Sequence, residues 1–205
     1  MDSLAETSLT GGMISPGQTV ENPVTGERFT FTHTAASTGG ELLAFDFALR
    51  PGGAVPLPHV HPIQTERFEV VDGRVSFRVG RRRLEANPGD VVEVAPGVAH
   101  SFANAGDGEA RMRVEVRPAL AMEDMFADVV AMAEAGRMNR RGMPRNLFEL
   151  ATLARKYDQE AHAPLLSVRM QRVLLAPLVF LGRHRRLGRV AALAGAAATV
   201  GGVAA

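Results

Sequence analysis

The 205-residue chain has no cysteine, which excludes disulfides and thiolate-held metals and leaves the redox compartment unread. It has one lysine, Lys156, among 23 basic residues, a bias attributed to genome composition rather than to function. Its uninterrupted apolar runs fall short of the roughly 20 residues that a spanning helix needs, the weakly hydrophobic Ala/Gly-rich stretch Val190 to Ala205 aside. The opening Met1-Asp2-Ser3-Leu4-Ala5-Glu6 is acidic and lacks the apolar core of a secretory signal, so a cytoplasmic protein is expected. No Gly-x-Ser-x-Gly elbow, phosphate loop or paired acidic dyad is present. Ser101 beside His100 is no dyad, because adjacent strand residues face opposite ways.

What is present is ordinary in bulk: 46% hydrophobic and 22% charged residues, as in a soluble globular protein of one domain with or without an appendage. The net charge of +1 hides an asymmetry. Residues 1–118 carry 11 Arg against 15 Asp/Glu, and residues 119–205 carry 12 Arg/Lys against 7 Asp/Glu, so the halves stand at −4 and +5. A basic second part implies contact with something anionic: the first part, a partner or a membrane surface.

The chain reads as three stretches. Residues 1–17 are Ser/Thr/Gly-rich and expected to be flexible. Residues 18–118 hold short β-like runs broken by turn signals, among them Arg28 to His33, Glu41 to Leu49 and Arg74 to Val79. In Glu109 to Arg117, Met112, Val114 and Val116 alternate with charged residues, predicting a strand with arginines outward. Residues 119–205 change character. Ala119 to Ala135 has Leu120, Met122, Met125, Phe126, Val129, Val130 and Met132 at helical spacing, with Gly136 as a stop. Asn146 is placed to cap a second helix running to about Glu160, and Leu165 to Leu181 is apolar but interrupted by Pro177. The fold class predicted is mainly β, a barrel followed by C-terminal α-helices.

The richest stretch is Gly53-Ala-Val-Pro-Leu-Pro-His59-Val-His61-Pro-Ile-Gln-Thr-Glu66, with Gly73 beyond it. Histidines at i and i+2 share one face of a strand, and a carboxylate follows a Pro-containing turn. Imidazole and carboxylate converging inside a barrel suit a first-row divalent metal. Gly89-Asp-Val-Val-Glu-Val-Ala95-Pro96-Gly97-Val-Ala-His100 then supplies a third histidine after Gly/Pro punctuation, with Asn104 four residues on.

Here the chain resembles the cupin family, over about residues 40–118. The family's first motif, Gly-x5-His-x-His-x4-Glu-x6-Gly, is filled by Gly53, His59, His61, Glu66 and Gly73. The second, Gly-x5-Pro-x-Gly-x2-His-x3-Asn, is met by Gly89, Gly97, His100 and Asn104, with Ala95 at the expected proline and Pro96 one place late. The resemblance implies a cupin jelly-roll barrel and a metal-dependent protein acting on a small molecule. It also implies pairing of barrels through their sheets, hence a homodimer. The family spans dioxygenases, oxalate-processing enzymes, isomerases and cyclases as well as proteins with no turnover, so the fold names no reaction.

With His59, His61, Glu66 and His100 as ligands, the expected cofactor is one divalent transition-metal ion: Fe, Mn, Ni, Co, Cu or Zn. No other residue stands out as acid, base or nucleophile, so catalysis would be metal-centred, of dioxygenase or isomerase/cyclase type. Phe45, Phe47, Phe68, Phe77 and Phe102 are candidates to line a substrate pocket, with core packing as their alternative. Gln64 could approach the site or face solvent in its turn. Asn104 is expected to stabilise its turn, and His33, His162 and His184 to be structural. The arginine clusters lack interleaved aromatics and any nucleic-acid motif, so no nucleic acid is expected. The alternative function is a non-catalytic metal or ligand binder whose basic helical tail docks a partner or membrane surface.

Overall fold

A computed structural model describes residues 14–55 and 57–182. The Arg183-His184-Arg185-Arg186 run and the stretch from Val190 to Ala205 lie outside the described residues, as do residues 1–13. Strands β1 (Thr19–Glu21), β2 (Arg28–His33), β3 (Leu43–Leu49), β4 (Thr65–Asp72), β5 (Val75–Val79), β6 (Arg82–Ala86), β7 (Val91–Val94), β8 (His100–Asn104) and β9 (Ala110–Arg117) form two antiparallel sheets. The larger has the order β1-β2-β3-β9-β4-β7 and the smaller β6-β5-β8.

The alternation read from the sequence governs which side chains face the core. In β9, Met112, Val114 and Val116 are buried while Arg111, Arg113 and Arg117 face out. β9 lies between β3 and β4, with Phe45 and Phe68 on either side of Val114. β3 is buried on nearly its whole length, as its unbroken apolar run requires. Phe29, Phe31, Phe45, Phe47, Phe68 and Phe77 belong to one core cluster, and burying each contributes about 1.5–3 kcal/mol.

The two sheets do not join into one continuous ladder. Between them runs the segment carrying His59 and His61, which pairs with β8 only through the isolated bridges Ala54↔Ala103 and His59↔His100. Pro58 and Pro62 flank the histidines and have no amide hydrogen to donate, so a regular strand cannot form there. The predicted histidine strand is therefore an extended, bridged segment, and the barrel is a jelly-roll-like pair of sheets rather than a closed cylinder.

Among the described residues three helices follow the last strand, after a short α1 (Ala35–Thr38) earlier in the chain. α2 (Met122–Glu134) begins a few residues later than its apolar pattern does, because Leu120 adopts a left-handed conformation (φ 51). Its Met122 and Val130 join the same core cluster, and the Phe126 ring stacks on Phe29 at 4.7 Å. α3 (Leu147–Lys156) is capped by Asn146, whose side chain accepts the Phe148 amide at 2.9 Å. It stops short of Glu160, because residues 160–162 leave the helix to meet the histidine segment. A further helix, α4 (168–182), continues through Pro177. Among the described residues no helix is long and apolar enough to cross a membrane.

Candidate metal centre and its cavity

Four ligand-type side chains converge between the sheets. Glu66 sits on β4, paired with Val94 on one side and Val116 on the other. His100 opens β8, and its backbone exchanges hydrogen bonds with that of His59 at 3.0 Å each way. His61 follows two residues later, its carbonyl accepting the Gly97 amide at 2.8 Å. One nitrogen or oxygen from each of His59, His61, Glu66 and His100 lies within 4.8 Å of the others. His61, Glu66 and His100 are buried and His59 half-buried. The other described histidines, His33 and His162, are not part of this cluster.

The hydrogen bonding of the cluster fits a cation between its members. Glu66 Oε2 lies 2.8 Å from His100 Nε2 and 3.1 Å from His61 Nε2. On the far side of its ring, His61 Nδ1 donates to the Glu160 carbonyl, and His59 Nδ1 lies 3.2 Å from the Leu57 carbonyl. A carbonyl only accepts, so the His61 Nδ1 must carry the proton, and the neutral ring then presents a bare lone pair at Nε2. A lone pair facing a carboxylate oxygen is repulsive unless a cation, proton or metal, lies between them. The donor set of three imidazoles and one carboxylate fits a divalent first-row ion, and a carbonyl behind the ligating ring is the usual way such a ring is oriented.

The electrostatics agree. Burial would raise the Glu66 carboxyl, yet hydrogen bonds and charge from His100 and His61 hold it well below the ordinary carboxylate range. Burial would lower His61, but the hydrogen bond and charge of Glu66, with the Glu160 carbonyl, raise it instead. Desolvation and the neighbouring rings of His100 and His61 push His59 down to about 4, keeping it a neutral donor near pH 7.

His59, His61 and Glu66 face a cavity of ≈ 280 Å³. Of the aromatic candidates, Phe45, Phe47, Phe68 and Phe102 line it. Phe77 does not: its ring lies 5.2 Å from Phe68 and 5.6 Å from Phe102, and it packs on the side facing a shallower depression. Gln64 is also not a cavity residue. It is fully buried, and its Nε2 donates to the carbonyls of Pro118 and Ala119 at 3.0 and 3.1 Å, tying the turn before β4 to the start of the helical part. Its amide oxygen, close enough to His61 to favour that ring's charged form, completes no hydrogen bond among the described residues. Asn104 bonds only backbone: Nδ2 donates to Leu49, Arg50 and Gly108 carbonyls, and Oδ1 accepts the Gly106 amide.

Much of the cavity wall comes from residues that the sequence motifs do not mark. Met122, Met125, Phe126 and Val129 of α2 cover one side, and Leu150 and Leu153 of α3 another. The helical spacing of α2 was the available signal, but it shows only that a face is apolar, not what it covers. Glu160 contributes a backbone carbonyl, for which no side-chain pattern exists. Glu27 also lines the cavity, with its Oε2 accepting from the Thr25 hydroxyl at 2.8 Å; burial raises its carboxyl, against that bond and the charge of Arg50. No arginine or lysine is among the described lining residues.

Residues 45–117 match the family model described as Cupin domain. Similar solved structures include a sugar phosphate isomerase from a cupin superfamily of Silicibacter pomeroyi, 23% identical, covering 46% of this chain and 60% of that one, at a TM-score of 0.41. A predicted oxalate decarboxylase from Thermotoga maritima is 19% identical, with 49% and 90% covered and a TM-score of 0.44. An RmlC-like cupin from Shewanella frigidimarina is 19% identical, with 51% and 86% covered, also at 0.44. No protein of curated function matches the chain.

Proposed function

We propose that this chain, a member of the cupin superfamily, is a mononuclear metal-dependent enzyme acting on a small, largely apolar organic molecule. The observation that carries this reading is the pair of imidazole Nε2 atoms aimed at one buried carboxylate oxygen on the wall of an apolar cavity. His59, His61, Glu66 and His100 would hold the ion, which when bound supplies Lewis acidity and, for a redox-active metal, a site for O₂. The reaction is of dioxygenase or isomerase/cyclase type.

The chain's own residues narrow the substrate. Phe45, Phe47, Phe126 and the α2 methionines select an apolar body and exclude water from the metal side of the cavity. Without a cation among the described lining residues, the metal is the partner that the cavity offers a multiply charged anion. Glu27 is the one further titratable group among the described lining residues, its carboxyl raised by burial, and it is the polar side chain placed to meet a substrate hydroxyl.

Elemental analysis of protein purified without added metal tests the assignment. Close to one transition-metal ion per chain is expected for wild type, and none for His61→Ala, with turnover of a phenolic or enolisable apolar substrate lost in step. Activity that survives in the metal-free protein overturns it.

A further inference from the structure

We propose that Asn22 and Glu27 form a second recognition point in the cavity, which binds a hydroxyl group at the end of an elongated apolar substrate remote from the His/Glu cluster. This rests on the metal reading above for the near end of that substrate and adds the far end.

One turn builds the pair. Asn22 follows β1 and Glu27 precedes β2, and the Asn22 amide donates to the Glu27 carbonyl at 2.8 Å while the Gly26 amide donates to the Asn22 carbonyl at 2.7 Å. Both side chains line the cavity, and Asn22 is 1% exposed and Glu27 9%. Asn22 Oδ1 accepts the amides of Val24 and Thr25 at 3.0 and 3.3 Å. An oxygen only accepts, so these two bonds fix which end of the side-chain amide is which. Its Nδ2 end keeps both N–H groups without a partner among the described residues. Glu27 is half used in the same way: Oε2 accepts the Thr25 hydroxyl at 2.8 Å, and Oε1 has no hydrogen bond among the described residues. Arg50 acts on Glu27 by charge, but its guanidinium donates to the Val24 carbonyl at 3.1 Å instead. Buried polar groups are as a rule hydrogen-bonded. Here one donor and one acceptor are left over on the wall of a largely apolar cavity.

Their position sets the shape of the substrate. Glu66 opens β4, three strands from β2 in the order β2-β3-β9-β4. It pairs with Val116, which faces Leu43 at the start of β3, whereas Glu27 precedes Arg28, which pairs with Ala48 near the end of β3. The two carboxylates thus stand diagonally across the sheet, three strand spacings or about 14 Å apart along its surface in one direction alone, yet both line one cavity. A molecule that reaches both is long, and it is apolar in between, where Phe29, Phe45 and Phe47 form the wall. A hydroxyl suits the far end because it donates to Glu27 Oε1 and accepts from Asn22 Nδ2. A carbonyl would leave the carboxylate unmet, and an ammonium would leave the amide unmet. The loop between α2 and α3 packs onto this turn, where a Cβ added to Gly142 would lie 2.8 Å from Thr25 Cγ2, and so shields it from bulk water on that side.

Isothermal titration of the full chain with ω-hydroxydecanoate, ω-hydroxydodecanoate and ω-hydroxyhexadecanoate, each against its parent acid, tests this. At the matching length the hydroxy acid should bind at least about tenfold more tightly than its parent, as a hydrogen bond to a charged group provides. Glu27→Gln, which keeps the shape of the side chain and an acceptor for Thr25, should bring that ratio close to one while the parent acid binds as before. Asn22→Ser, whose hydroxyl can still accept the turn amides, should do the same. Equal affinity of hydroxy acid and parent at every length overturns the proposal, and so does failure of every acid to bind. Variants that weaken both acids alike overturn it too, since the turn would then be structural only. Zn²⁺ separates the two readings, because the parent acid should bind the loaded chain more tightly than the stripped one. A hydroxyl preference that persists while Zn²⁺ changes neither affinity upholds this site and sinks the metal reading; Zn²⁺ dependence without a hydroxyl preference does the reverse.

Discussion

Replacing Glu160 by alanine probes whether the helical part of the chain controls the metal site. Glu160 acts twice. Its carboxylate accepts the Ala121 amide at the start of α2, at 3.1 Å, where the helix end favours negative charge. Its backbone carbonyl accepts the His61 Nδ1–H, in register because Val60 and His162 exchange two backbone hydrogen bonds of 3.0 Å next to it. Losing a hydrogen bond to a charged, buried acceptor costs about 1.5–3 kcal/mol, and the variant should lose that much stability in urea unfolding of metal-stripped protein. The carbonyl itself survives the substitution, held by the Val60–His162 pair, but its anchor to α2 is gone. Zn²⁺ affinity should therefore fall by about tenfold, the lower edge of the effect of disturbing a partner behind a ligating histidine. His162→Pro deletes the amide that donates to Val60 and should push the loss toward about a hundredfold. Competition titration with a chromophoric chelator reads both. Destabilised variants with wild-type Zn²⁺ affinity would refute the reasoning, showing that His61 is oriented without the strap.

Two further outcomes follow from single sites. Asn104→Ala leaves three carbonyls without their shared donor and should cost at least about 2 kcal/mol in thermal unfolding with Zn²⁺ affinity unchanged; a loss of metal binding would show that Asn104 serves the site. Hydrogen bonds from Arg172 overcome burial and hold Asp158 down to about 2. A carboxyl depressed in the folded state stabilises fully above its unfolded value near 3.9, and that contribution fades as pH falls through about 2. Amide exchange in α4 should thus keep its protection from neutral pH to about 4 and lose it below; protection already lost at pH 5 contradicts the ion pair's role as the anchor.

Local order was legible along the chain because it depends on near neighbours. Two-residue alternation placed Met112, Val114 and Val116 inward, and Asn146 marked the start of α3. The spacing of Gly53, His59, His61, Glu66, His100 and Asn104 was enough to single out the four side chains whose ligand atoms lie within 4.8 Å of one another. The same reading made the histidine segment a regular strand and left Phe77 and Gln64 as pocket candidates. Flanking prolines and a clamp onto Pro118 and Ala119 settled those positions differently.

What the order of amino acids determined by itself was therefore the candidate ligand set, the strand faces and the existence of apolar helices after residue 118. Only the folded molecule decided where those helices dock: α2 and α3 wall the cavity beside the His/Glu cluster, a carbonyl from residue 160 orients His61, and apolar side chains of α4 are exposed among the described residues. Periodicity tells which side of an element is apolar, whereas the surface that side meets depends on contacts between residues up to a hundred positions apart, which no local pattern encodes.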